Sequence, residues 1–161
     1  MADDIDFFTA TARIGDIKEL DVDAITLLIR IECSGEDFYD QLADRVGNDE
    51  AATLLRRNGR EETGHARRLH RALAIKLGRE PDFTIDEVER FELSLPDTID
   101  AAIFPVIVEA ELQGDAGYQG WAGRETDPEI IRLLHLNGRE ETIHGERVRE
   151  VQAILEGVTG S

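Results

Sequence analysis

Glu62 and His65 stand three residues apart, and so do Glu141 and His144. On an α-helix this spacing puts both side chains on one face, with Cβ atoms about 5–6 Å apart. A carboxylate and an imidazole on a shared face can bind the same metal ion. One Glu-x-x-His pair is weak evidence, because solvated helix faces produce it often. Two pairs in matched surroundings are stronger.

The surroundings do match. Shifting the chain by 79 residues lays Leu54-Leu55-x-x-Asn58-Gly59-Arg60-Glu61-Glu62-Thr63-x-His65-x-x-Arg68 on Leu133-Leu134-x-x-Asn137-Gly138-Arg139-Glu140-Glu141-Thr142-x-His144-x-x-Arg147. The same shift, without a gap, lays Glu32, Gly35, Tyr39 and Ala43 on Glu111, Gly114, Tyr118 and Ala122. Glu32 follows Leu27, Leu28, Ile29 and Ile31, and Glu111 sits among Val106, Ile107, Val108 and Leu112. A lone carboxylate in such apolar segments is costly to bury.

Four glutamates and two histidines are thereby expected to converge: Glu32, Glu62 and His65 from one half, Glu111, Glu141 and His144 from the other. Four packed carboxylates repel one another unless cations neutralise them, and two divalent ions balance four charges. Carboxylates with one imidazole per metal suit iron or manganese, although zinc can also bind. The competing reading is a buried Glu–Arg network using Arg60, Arg68, Arg139 and Arg147.

Tyr39 and Tyr118 follow Glu32 and Glu111 by seven residues, about 10 Å along the axis and on nearly the same face. They are candidate hydrogen-bond donors to the ligands, or plain core tyrosines. Glu36 and Asp115 lie one turn beyond Glu32 and Glu111 and are expected to pair with arginine. Glu109 breaks the repeat register and should face about 160° away from Glu111. His70 and His135 point away from the motif histidines. Trp121 is expected to pack with Phe7, Phe8 and Phe83 at a helix end or an interface. Gly35, Gly64, Gly114, Gly117, Gly120 and Gly145 cluster near the ligands, for close helix approach or for substrate room.

Four long helices must position these groups. Apolar residues Ile25, Leu28, Ile29, Phe38, Leu42 and Val46 recur at helical steps from Asp23, with Asp21 or Asp23 as cap and Gly47-Asn48 as the break. The second helix runs from about Asp49 to Leu77, ahead of Gly78 and Pro81. The third starts afresh near Phe104 because of Pro105 and ends about Arg124. The fourth follows the Asp127-Pro128 cap and runs to about Glu156. Between the second and third helices lies a long crossover with a short amphipathic piece (Ile85, Val88, Phe91) and a possible helix start at Ser94-Leu95-Pro96-Asp97. The expected fold is an all-α four-helix bundle with up-down-down-up topology, forming one domain over residues 1–161. Its bundle spans about residues 22–156, with repeat halves at about 22–78 and 101–157.

Composition narrows the partners. The 35 acidic and 18 basic residues leave a formal charge of −17, which argues against nucleic acid and anionic membranes. The acidic start, Met1-Ala2-Asp3-Asp4, has no basic or long apolar run, so neither a signal peptide nor a membrane span is expected, and a cytoplasmic protein is the default. The single cysteine, Cys33, excludes an internal disulfide and a Cys-x-x-Cys knuckle, and reads as a small buried hydrophobe.

Glu-x(6)-Tyr followed by Glu-x-x-His, occurring twice, resembles the ferritin-like superfamily, and the short duplicated chain is most similar to its rubrerythrin-type members. The resemblance implies a di-iron centre bridged by Glu62 and Glu141, with Glu32 and Glu111 as terminal ligands and His65 and His144 each holding one iron. It further implies hydrogen peroxide reduction, or alternatively oxidation and storage of iron by dioxygen, and a homodimer. Two departures stand out. The chain lacks the two Cys-x-x-Cys knuckles of a rubredoxin domain, so electrons must come from a separate donor such as a rubredoxin-like protein. Gly114 stands where many rubrerythrins carry a further glutamate, which implies a more symmetric site. A non-enzymatic helical scaffold is the remaining alternative.

Overall fold

The computed structural model of the protein describes residues 5–157. The acidic start at residues 1–4 and the tail at 158–161 lie outside the described residues. A short helix, α1 (Phe7–Ala12), and a 3-10 turn (Arg13–Asp16) precede four long helices: α2 (Val22–Arg45), α3 (Asp49–Leu77), α4 (Ile103–Arg124) and α5 (Pro128–Leu155). No strand occurs among the described residues. No described helix is long and apolar enough to cross a membrane.

Caps set the helix ends. Asp21 accepts from the backbone N–H of Ala24, Asn48 from Ala51 and Asp127 from Glu129 and Ile130, each satisfying an otherwise orphaned donor. Gly78 closes α3 in the left-handed region at φ 68°, where a side chain would be strained. Pro105 falls in the first turn of α4, where its missing N–H costs nothing.

Short connections at 46–48 and 125–127 make α2/α3 and α4/α5 antiparallel pairs. Across the bundle, the Asn58 amide donates to His144 O and the Asn137 amide to His65 O, so α3 and α5 also run antiparallel. Tyr39 bonds Glu111 and Tyr118 bonds Glu32, which gives α2 and α4 the same opposed register. Hence α2 and α5 point one way and α3 and α4 the other.

Two apolar clusters fill the ends of the bundle. One gathers Ile25, Leu28, Leu69, Leu73, Trp121 and Leu134; the other gathers Leu42, Leu55, Phe104, Val148 and Val151. Each such side chain, fully buried, contributes about 1.5–3 kcal/mol of hydrophobic stabilisation. Between the clusters lies a band of buried polar residues, Glu32, Asn58, Glu62, His65, Glu111, Asn137, Glu141 and His144.

The crossover departs from the sequence expectation. Its only helical piece is a 3-10 turn at Ile85–Glu87, and Ser94–Asp97 starts no helix. Phe91, Leu93 and Leu95 alternate inward, the period of extended chain. Ser34 and Gln41 of α2 accept from the Phe91 and Leu95 N–H groups, while Gln41 donates to Leu93 O. The aromatic grouping also differs: Phe7 and Phe8 pack on Phe38, and Phe83 on His70. Trp121 instead meets Tyr118 and donates to Ile17 O.

Candidate metal centre

Helical spacing on α3 and α5 brings Glu62, His65, Glu141 and His144 together, with one ligand atom of each within 4.8 Å of the others. The histidine rings stack at 5.1 Å. Nδ1 of His65 lies 2.9 Å from Glu141, 3.2 Å from Glu62 and 3.7 Å from Glu32. Nδ1 of His144 lies 3.3 Å from Glu62 and 3.8 Å from Glu111. All six expected residues therefore line one buried chamber, Glu32 and Glu111 reaching it from α2 and α4.

Each imidazole is fixed from behind. Nε2 of His65 is 3.0 Å from Glu140, and Nε2 of His144 is 3.1 Å from Glu61. Arg68 and Arg147 clamp these carboxylates and also donate to Asn137 and Asn58. A proton on Nε2, shared with the outer carboxylate, directs Nδ1 inward, where a metal can take it once its own proton is lost. The crossing is complete: the glutamate of one half holds the histidine of the other. The tyrosines cross in the same way, Tyr39 donating to Glu111 and Tyr118 to Glu32.

The sequence reading did not single out Glu61, Glu140, Asn58 and Asn137. They lie in the repeated block, but their partners are on the facing helix, beyond reach of spacing on one helix. The Glu–Arg alternative is present in part, since Arg68 and Arg147 ring the chamber while Arg60 and Arg139 are exposed. Glu36 does pair with arginine, Arg90, and also accepts from Thr63. Asp115 accepts instead from Thr142 and Gln119. Glu109 is exposed and bonds Gln113, outside the chamber.

Charge in the chamber is poorly compensated by protein alone. Burial, then repulsion from Glu62, pushes Glu32 up to about 7. Burial and the charges of Glu111 and Glu62 raise Glu141. Burial also opposes charge on Glu62, but the two histidines overcome it and hold this carboxylate low. Burial works against a proton on His144, yet Glu62 and Glu111 carry it up to about 10. Burial and the neighbouring carboxylates keep both tyrosines protonated. Glu62 Oε2, Glu111 Oε2, His65 Nδ1 and His144 Nδ1 are buried without a hydrogen-bond partner. A divalent cation satisfies the orphaned carboxylate oxygens and, on displacing the inward protons, the two Nδ1 atoms, so the donor set fits metal ions of the iron and manganese kind.

Glycines serve two purposes. At Gly59 an added Cβ would lie 3.2 Å from Tyr39 Cβ and 3.3 Å from Glu36 O, which is close helix approach. At Gly35 and Gly114 it would meet the side chains of Glu62 and Glu141, so these glycines make room for the carboxylates. Gly64 has open space around it. Cys33 is buried, and burial raises its thiol to about 11, the behaviour of an inert small hydrophobe.

A four-helix bundle enclosing a duplicated Glu/His cluster defines the ferritin-like class. The rubrerythrin family model matches residues 23–152, and the chain belongs to that family. No curated protein and no solved structure matches the chain. The match covers the bundle, and no rubredoxin domain is evident in the 161 residues.

Proposed function

We propose that this protein is a di-iron oxidoreductase that reduces hydrogen peroxide. The observation that carries the reading is the convergence of four buried, unpartnered ligand atoms, from Glu62, Glu111, His65 and His144, in a rubrerythrin-family chain. In this reading His65 and His144 would each hold one iron through Nδ1, and Glu32, Glu62, Glu111 and Glu141 would supply the carboxylates around the pair. When bound, the iron pair supplies two electrons together to an O–O bond.

The chain's own groups do the rest. Glu140 and Glu61 keep the imidazole proton on Nε2, so that Nδ1 stays a ligand. Tyr39 and Tyr118 hold one oxygen of Glu111 and of Glu32, leaving the other free to bind metal. Apolar clusters at both ends exclude bulk water. Reduction of one peroxide to two waters consumes two electrons and two protons. In this reading the electrons come from a separate donor such as a rubredoxin-like protein. The working form is a cytoplasmic homodimer, which sedimentation analysis checks.

A second reading is a ferroxidase, favoured by the mirrored pairing of the tyrosines and asparagines around the chamber. Anaerobic mixing of the di-ferrous protein with peroxide and with dioxygen decides between them. Faster oxidation by peroxide is expected; faster oxidation by dioxygen overturns the peroxidase reading. Light scattering during iron loading should stay flat, since growth of scattering signals a mineral-storing shell.

A further inference from the structure

The two motif glutamates occupy equivalent places in the repeat but adopt different poses. Glu62 lies between the histidines, Oε2 at 3.2 Å from Nδ1 of His65 and Oε1 at 3.3 Å from Nδ1 of His144. Glu141 leans to one side. Its Oε1 is 2.9 Å from His65, and its Oε2 fills the space Gly114 leaves, 2.8 Å from where a Cβ would stand. The mirror glycine, Gly35, faces the aliphatic Cγ of Glu62 at 3.3 Å. In consequence Nδ1 of His65 meets Glu32, Glu62 and Glu141. Among the described residues, Nδ1 of His144 has only Glu62 and Glu111 in ion-pair reach.

We propose that the two metal subsites are unequal, and that Gly114 makes them so by giving Glu141 a slot from which it serves the His65 subsite. This rests on the di-metal reading above. A divalent cation facing an imidazole and three carboxylates is held more tightly than one facing two, because affinity for such ions rises with the charge of the ligand set. The first ion therefore enters beside His65, and the second completes the pair beside His144. Alanine at 114 fills the slot and returns the Glu141 carboxylate to the space between the histidines, shared by both subsites. The helix accepts the change, since Gly114 is not at positive φ and alanine is the better helix former.

The test adds manganese(II) to the metal-free full-length protein, followed by calorimetry and electron paramagnetic resonance. The native chain should bind in two steps with Kd values at least about tenfold apart. Its spectrum should show isolated manganese up to one equivalent and a coupled pair only beyond it. In Gly114→Ala the two steps should converge to within about threefold, with coupled pairs forming well before one equivalent. Glu141→Gln should weaken the tight step alone, whereas Glu62→Gln should weaken both, a contrast that holds without the glycine variant. Two equal steps in the native chain, or wild-type spacing in Gly114→Ala, overturns the inequality. Absence of any manganese binding overturns the di-metal reading itself.

Discussion

The two halves of the repeat are near mirror images around the chamber and unlike each other on the outside. On α2 the outward residues Ile31, Ser34 and Phe38 are buried beneath Phe91, Leu95 and α1. Their counterparts on α4, Ala110, Gln113 and Gly117, are exposed or half-exposed, and nearby Val106 is 66% exposed. The crossover has only one face to cover. Where the half that receives it carries Ile31 and Phe38, the half without it carries Ala110 and Gly117. Inside, where each glutamate, asparagine and tyrosine needs its partner from the other half, the copies cannot diverge independently.

The largest expected effect removes the inner site from both halves at once. Metal at about a thousandfold above its Kd should stabilise the native chain by about 4 kcal/mol, and the double variant Glu62→Ala/Glu141→Ala should gain almost nothing. Thermal melts with and without manganese read this directly. On the outside, Phe91→Ala should cost about 3 kcal/mol through the cavity it leaves beneath the crossover. Val106→Ala, at an exposed site, should cost less than about 0.5 kcal/mol. Equal costs in urea melts would mean that the α4 face is covered in solution.

The ring around the chamber gives a smaller contrast. Arg147→Ala and Arg68→Ala each strip a charged partner from a carboxylate, at about 2 kcal/mol. Arg147 should cost the more, because its side chain is 12% exposed against 29% for Arg68. Equal losses would show that burial does not separate the two clamps.

The smallest effect is in pH. His144 is raised from 6.5 to about 10 in the metal-free chamber, so its contribution is complete below 6.5 and lost as pH climbs toward 10. Glu140 is lowered to about 2 by its bond to His65, so its contribution is present above 4.5 and lost as pH falls toward 2. The metal-free melting temperature should fall by a few degrees, roughly, between about pH 6 and about pH 9. With manganese present the trend should reverse, because the metal displaces the protons.

Much of this was legible in the sequence. The four long helices followed from apolar steps and caps, and the duplication pointed from His65 and His144 to Glu32 and Glu111. What spacing could not reveal was contact between helices: which half supplies each tyrosine's acceptor, or that Glu61 serves His144 rather than His65 on its own helix. The crossover misled because Ile85, Val88 and Phe91, three apart, fit a helical step, whereas the chain alternates inward at Phe91, Leu93 and Leu95. Likewise Gly114 is visible as a gap in the family pattern, but that Glu141 occupies the gap is a fact of packing.

The most direct measurement is anaerobic titration of the metal-free protein with ferrous iron, counted by bound-metal analysis after gel filtration. The chamber as described should saturate at two irons per chain in the native protein and bind fewer than one in Glu62→Ala/Glu141→Ala. Saturation of the native chain at one iron or none, or two irons retained by the double variant, would contradict a di-iron centre built from these residues.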